Sequence, residues 1–197
     1  MSTANEQKLH NDVERILFSK EELEEICCRL GKQISNDYKG KNLYVISILK
    51  GAFVFLADLA RHITEDIKID FMAVSAYKDK TYSSGRPQIR LDLSQDICGK
   101  DVLIVEDILD SGVTLFHVRN MLLSRNPNSI KICTLLNKEA RRDEKVKGII
   151  KADYLGAEVE NEFVVGYGLD YAEKYRNLPY IGILKRSVYE KEEKKEK

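Results

Sequence analysis

The stretch DVLIVEDILDSGVTL, residues 101–115, constrains this chain more than any other. Val102, Leu103, Ile104 and Val105 are a run of apolar residues, the pattern of a strand buried on both faces of a parallel sheet. Two acids, Glu106 and Asp107, follow at its carboxyl end. Asp110, Ser111, Gly112, Val113 and Thr114 then make a small polar loop, and Leu115, Val118, Met121 and Leu122 recur at helical spacing. Strand, loop and helix in that order aim backbone N–H groups and a positive dipole end at an anion, most often a phosphate.

The loop has neither the Lys-Ser/Thr pair that cradles a triphosphate nor the G-x-G-x-x-G of a dinucleotide site. Adjacent carboxylates repel a bare phosphate chain, yet they accept hydrogen bonds from vicinal hydroxyls. A ligand with hydroxyls at the strand end and a phosphate on the loop is a sugar phosphate, and a ribose phosphate fits. The plain alternative is a surface turn with ordinary acids, which leaves the length and context of the motif unexplained. Residues 106–114, EDILDSGVT, resemble the phosphoribosyl pyrophosphate signature of the phosphoribosyltransferases in its purine-salvage form.

Composition narrows the class. At 197 residues the chain is most simply one domain with a sizeable core. Lys plus Arg and Asp plus Glu both number 32, so no general attraction to nucleic acid or an anionic membrane is implied. Four cysteines, Cys27, Cys28, Cys98 and Cys133, lack metal-site spacing and read as reduced thiols of a cytosolic protein. His10, His62 and His117 are scattered, which argues against a histidine metal cluster. There is no apolar leader and no stretch of membrane-spanning length.

Along the chain, residues up to about Asn11 are polar and read as loose. Ser19 and Glu22 form a capping box for a helix running toward Ile34, with Leu23, Ile26, Cys27 and Leu30 as its apolar stripe. Strands are expected at residues 43–49, 67–76 and 130–136, with a short returning strand at 89–93. A helix carrying Phe53, Leu56, Leu59 and Ile63 lies between the first two. Residues 77–88 are polar and turn-rich and read as a long loop. Residues 139–151 read as a charged, mobile or partly helical section. Residues 163–166 and 180–184 read as late strands, and the charged tail 189–197 as solvated and without function. Alternating strands and helices predict an α/β fold, a parallel twisted sheet flanked by helices with ligands outside the strand carboxyl ends. The core is placed at about 40–150. A small hood subdomain is expected from the N-terminal segment and about 151–185.

Further stretches extend the resemblance over roughly residues 43–184, with motifs in the order of the hypoxanthine-guanine branch of the type I phosphoribosyltransferases. Lys50-Gly51 resembles the pyrophosphate loop, in which the peptide before the Lys can be cis. Residues 77–88, beginning at Tyr77, resemble the lid that closes on the reacting centre. Many relatives enter it with Ser-Tyr where this chain has Ala76-Tyr77, and Ser75 lies one place earlier. Lys138 matches the lysine that meets the 6-oxo group of the purine. The run FVVGYGLDY, residues 163–171, with Arg176 beyond, matches the base-binding stretch. The resemblance implies that Phe163 stacks on the purine and that the backbone at Val164 accepts from its edge. It likewise implies that Asp170 helps hold a second magnesium ion and that Arg176 contacts pyrophosphate.

The resemblance thus implies a magnesium-dependent enzyme of purine salvage. It would join phosphoribosyl pyrophosphate to hypoxanthine or guanine, giving IMP or GMP and pyrophosphate. Glu106 and Asp107 would hold the ribose hydroxyls and share metal binding with Asp170. The loop from Ser111 through Gly112 and Val113 to Thr114 would cradle the 5′-phosphate, and Asp110 would be the general base. A homodimer or homotetramer is the family expectation. Two alternatives stay open: a nucleotide-binding regulator on the same scaffold, and a transferase for another base such as adenine or orotate. Zero net charge and the lack of an added domain disfavour the regulator. A transferase for another base would lack the Lys138 and Phe163 pair.

Overall fold

The computed structural model describes residues 10–75 and 88–193, with side chains described through Tyr189. The larger of two compact units spans Ile26–Asn161. Its frame is a six-stranded sheet built from β2 (Leu43–Leu49), β3 (Ile67–Ser75), β4 (Gln88–Leu91), β5 (Asp101–Leu109), β6 (Ser129–Asn137) and β7 (Tyr154–Glu158). The spatial order is β4-β3-β2-β5-β6-β7, and every pairing is parallel except that of the edge strand β4 with β3. β2 and the first two-thirds of β5 are buried almost without interruption, as strands covered on both faces must be.

Helices α2 (Phe53–Arg61) and α3 (Val113–Leu123) connect the parallel strands. The helix α1 (Lys20–Asp37) opens on the expected capping box. The Ser19 amide donates to Glu22 Oε2 at 2.7 Å, and the Glu22 amide to Ser19 Oγ at 3.2 Å. Its buried residues Leu23, Cys27, Leu30 and Ile34 recur at intervals of three and four, one stripe of a helix.

The smaller unit comprises Met1–Glu25 and Glu162–Lys197. Its antiparallel sheet has the order β1-β9-β8, from β1 (Val13–Phe18), β9 (Ile181–Leu184) and the two-residue β8 (Val164–Val165). A last helix, α4, covers Arg186–Glu193. Val165, Tyr175, Leu178, Tyr180 and Leu184 form this unit's own apolar cluster, with Val188 and Tyr189 of α4 packed against it.

Two expectations need correction, and a third holds. β7 pairs with β6, so the sheet unit reaches Asn161 rather than about 150, and the hood's later part begins at Glu162. The charged section after β6 is helical in part, as expected, through a 3-10 turn at Glu139–Arg141, and Val146 and Ile150 anchor it in the core. The tail is not wholly solvated, since α4 begins before it and buries part of Tyr189.

A buried carboxylate ties β3 to the chain leading into β5. Asp70 accepts from Tyr44 Oη at 2.6 Å, its neighbour's amide at 2.8 Å, and the Ser94 amide and hydroxyl at 2.7 and 2.9 Å. Burial alone raises an acid's pKa, but these donors, led by Tyr44, outweigh it and hold Asp70 below the usual carboxylate range. A depressed folded pKa stabilises above the unfolded value near ~3.9, and that stability is lost as pH falls through the folded value. Asp70→Asn turns an amide group toward several of these donors. It should lower unfolding free energy by about 2 kcal/mol at neutral pH. Urea denaturation should show the gap to the parent closing as pH drops below about 4.

Candidate active site

The strand order reverses at β2 and β5, for the chain goes outward from β2 to β3 and then returns to the other side of β2. Such a switch point opens a crevice at the carboxyl ends of the two strands, where α/β sheets bind ligands. Here Lys50-Gly51 follows the end of β2, and β5 carries Glu106 and Asp107 near its end with Asp110 just beyond it. The Leu49–Lys50 peptide is cis, as the resemblance allowed. Gly51 is required by proximity, since a Cβ there would lie 1.8 Å from Asp107 Oδ2 and 2.6 Å from its Cγ. The Asp107 carboxylate thus rests on the Lys50-Gly51 loop, and its Oδ1 also accepts from the Ile108 amide at 2.9 Å.

Glu106 points differently, because successive strand residues face opposite sides. Its Oε2 is enclosed and has no hydrogen-bond partner among the described residues. The hydroxyl of its register partner Thr134 is in the same condition. Burial, and then the adjacent Asp107 charge, push the Glu106 carboxyl well above the ordinary glutamate range. An enclosed, unpartnered carboxylate oxygen beside a second acid suits a cation or a hydroxyl donor. Hard oxygen ligands of this kind fit magnesium.

The loop after β5 leads into a helix amino end, a setting whose backbone amides suit an anion. Gly112 takes φ +79°, the left-handed region, and is the N-cap of α3 without a side-chain capping bond. The Val113 amide meets Ser111 Oγ only at 3.4 Å, and the Phe116 amide begins the helical ladder to Gly112. Ser111 and Thr114 are exposed beside this amino end of α3, with Val113 half-buried. Asp110 lies between that helix end and the acids, with Arg141 Nε 3.1 Å from its Oδ1, an ion-pair distance without hydrogen-bond alignment.

A residue that sequence reasoning passed over holds this loop in place. The Arg142 side chain is 2% exposed. Its Nη1 donates to the Asp110 carbonyl at 2.7 Å, and its Nη2 donates to Asn137 Oδ1. Asn137 Nδ2 in turn donates to both Glu158 oxygens at 2.9 and 3.0 Å. The Asp143 amide adds a bond to the Ser111 carbonyl at 3.0 Å. In the sequence Arg142 is one charge among several in KEARRDEK, and the only hint was its closeness to the end of β6. Lys138 ends that strand, buried at 7% exposure, with its amide bonded to the Leu109 carbonyl at 2.9 Å.

The smaller unit brings together the remaining candidates. Phe163 stands 38% exposed, and Val164 beside it is buried in β8. The chain then turns tightly, and four non-glycine residues, Tyr167, Ala172, Glu173 and Tyr175, take positive φ. Arg176 crosses this turn, donating to the Gly168 carbonyl at 2.8 Å and pairing with Asp170 Oδ1 at 2.8 Å. The Asp170 Oδ2 accepts from the Glu173 amide at 2.8 Å. Both Asp170 oxygens are therefore engaged by the protein. Among the described residues no group of three His, Cys, Asp or Glu side chains is gathered to hold a metal. Tyr77 and the rest of the expected lid up to residue 87 lie outside the described residues. At its entry the Ser75 hydroxyl accepts from Arg90 Nε at 3.0 Å.

The phosphoribosyl transferase domain family matches residues 16–172 of the chain. A hypoxanthine-guanine phosphoribosyltransferase of Staphylococcus aureus is 50% identical over 92% of this chain and 99% of its own length. The bifunctional protein TilS/HprT of Listeria monocytogenes is 47% identical over 93% of this chain, which spans only 28% of that longer protein. Among solved structures, a hypoxanthine phosphoribosyltransferase from S. aureus superposes with a TM-score of 0.86 at 49% identity. It covers 92% of this chain and 97% of the other.

Removing the Arg142 fork leaves the Asp110 carbonyl and Asn137 short of buried partners. Arg142→Ala should lower unfolding free energy by about 2–4 kcal/mol in urea denaturation. Arg142→Lys keeps the charge without the fork and should recover only part of that loss.

Proposed function

The chain belongs to the phosphoribosyl transferase family, among the hypoxanthine-guanine phosphoribosyltransferases, and we propose from that premise that it serves purine salvage. It transfers the phosphoribosyl group of phosphoribosyl pyrophosphate to N9 of hypoxanthine or guanine and releases pyrophosphate. One observation carries this reading: paired acids and an uncapped helix amino end sit at the switch point of a parallel sheet.

Each role follows from the chemistry of its residue. Glu106 and Asp107 accept the ribose hydroxyls and so fix the anomeric carbon. The amides from Ser111 to Thr114, with the Ser111 and Thr114 hydroxyls, hold the 5′-phosphate. Lys50, with Gly51 allowing close approach, and Arg176 neutralise the departing pyrophosphate. Glu106 and Asp107, with Asp170 for a second ion, would hold magnesium, which would supply charge neutralisation to the leaving group. Asp110 receives the purine N7 proton as N9 attacks. Phe163 stacks on the base, Val164 offers its edge a carbonyl, and Tyr77 belongs to a lid that excludes water from the sugar cation.

Two wider proposals rest on other features. A homodimer or homotetramer is supported by Ile69, Phe71 and Leu91, exposed apolar side chains at the β3–β4 edge. A cytoplasmic setting is supported by Cys27, Cys28, Cys98 and Cys133, all free thiols. No helix among the described residues is long and apolar enough to cross a membrane.

Asp110→Asn tests the base. Single-turnover kinetics should show the chemical step slowed by about a hundredfold or more, with phosphoribosyl pyrophosphate binding little changed. A rate within about threefold of the parent would remove Asp110 from that role.

Specificity tests the whole reading. Lys138 offers donors only, so a purine with a 6-oxo acceptor gains a charge-assisted bond. Adenine presents an amino donor there and leaves both groups unpaired, a mismatch that polar sites reject by up to about 10⁴-fold. Measured kcat/KM should be substantial for hypoxanthine and guanine, negligible for adenine, and abolished for all bases by chelation of divalent ions. Lys138→Ala should erase most of the preference. Comparable use of adenine by the parent protein would defeat the 6-oxopurine assignment.

A further inference from the structure

Sequence reading assigned the residues from Tyr189 onward to a solvated tail, yet Tyr189 packs into an aromatic group around Phe163. The Tyr189 ring lies 5.4 Å from the Phe163 ring at 26° between planes, a stacked pair. Tyr171 meets Phe163 edge-on, 5.2 Å away at 90°, and lies 6.4 Å from Tyr189 at 64°. All three separations fall in the range where aromatic pairs attract beyond simple burial.

The local chain explains why the tail arrives there. The Leu184 amide donates to the Phe163 carbonyl at 2.8 Å, which sets the end of β9 beside Phe163. The helix α4 starts two residues later and turns Tyr189 back over that strand end. Val188 and Tyr189 anchor it on the cluster of Val165, Tyr175, Leu178, Tyr180 and Leu184.

Phe163 lies at the edge of its small sheet. It precedes a strand of only two residues and is 38% exposed. An exposed ring in that setting samples several rotamers, and each must be given up when a flat ligand stacks on it. Stacking by Tyr189, together with the edge of Tyr171, fixes the ring beforehand while the exposed part of Phe163 stays available to a ligand. We propose that Tyr189 is a positioning residue for the base: the C-terminal helix preorganises Phe163 to receive a flat heteroaromatic ring. This rests on the reading that Phe163 stacks on the purine.

The full chain carrying Tyr189→Ala, Tyr189→Leu, Tyr189→Phe, Phe163→Ala and the Phe163→Ala/Tyr189→Ala pair tests it by steady-state kinetics. Thermal unfolding of each variant accompanies the rates. Tyr189→Ala should raise KM for hypoxanthine about three- to tenfold, the scale of one aromatic pair, with KM for phosphoribosyl pyrophosphate unchanged. Tyr189→Leu, which keeps apolar bulk for folding but has no ring, should do the same, and Tyr189→Phe should restore the parent value. In the Phe163→Ala background the Tyr189→Ala change should have no further effect on the base KM. Equal rises in both KM values, or an undiminished Tyr189→Ala effect without Phe163, would reduce Tyr189 to a packing residue and overturn the proposal. So would an unchanged base KM in Tyr189→Leu while Phe163→Ala raises it. An unchanged base KM in Phe163→Ala would instead overturn the stacking assignment on which the proposal stands.

Discussion

The contact between Gly51 and Asp107 governs the geometry of the sheet unit's ligand end. β2 and β5 run parallel in register from Leu43 opposite Asp101 to Ser47 opposite Val105, so their carboxyl ends emerge side by side. The strand order reverses between them, which opens a crevice at that end. Two chemically opposite segments then lie against one another, a lysine loop and an acidic strand end. They approach closely because residue 51 has no Cβ to keep the Asp107 carboxylate away. A larger residue at 51 must move either the acid or the loop, and both face the same ligand in the proposed reaction.

The loop at the amino end of α3 depends on a second, less visible support. A loop that offers its amides to an anion cannot use those amides to hold itself, so it has to be held through its carbonyls. Asp110 gives its carbonyl to Arg142, Ser111 gives its carbonyl to the Asp143 amide, and Leu109 gives its carbonyl to the Lys138 amide. Every one of these donors comes from the segment that follows β6. That segment also sinks Val146 and Ile150 into the core, which holds it in place. Arg142 does this while nearly fully enclosed, which a guanidinium tolerates because its donors are met by Asn137, Glu139 and a carbonyl.

What the sequence disclosed follows the strength of the local signal. The buried strands β2, β5 and β6, the capping box of α1 and the acid-loop-helix motif all carry period or composition that few other arrangements share. β1 escaped notice because VERILF is half exposed and its Arg15 and Glu14 break the alternation. β7, YLGAE, is short and contains a glycine, and only its edge position beside β6 makes it a strand. Phe163 and Arg176 were reached through resemblance, since their local pattern is that of any core aromatic and any surface charge. Arg142 and Tyr189 were missed for a related reason. Their partners lie far along the chain or across a turn, and each sits in a run of charges that by itself reads as solvated.

Three carboxylates within five positions of one strand and loop differ in what surrounds them, and that difference can divide their labour. Glu106 is enclosed with an unpartnered oxygen, and burial, then the Asp107 charge, raises its carboxyl above the ordinary glutamate range. Asp107 is held on one side by the Ile108 amide and on the other by the glycine loop, so its direction is fixed before any ligand binds. Asp110 is more open, and its Arg141 partner is 55% exposed, so that pair is weak and easily exchanged. A group that must take up a proton has to be reachable and able to shed its counter-ion, whereas groups that orient a sugar need rigidity. The polarity of each setting is thus in keeping with the proposed division, proton transfer at Asp110 and positioning at Glu106 and Asp107.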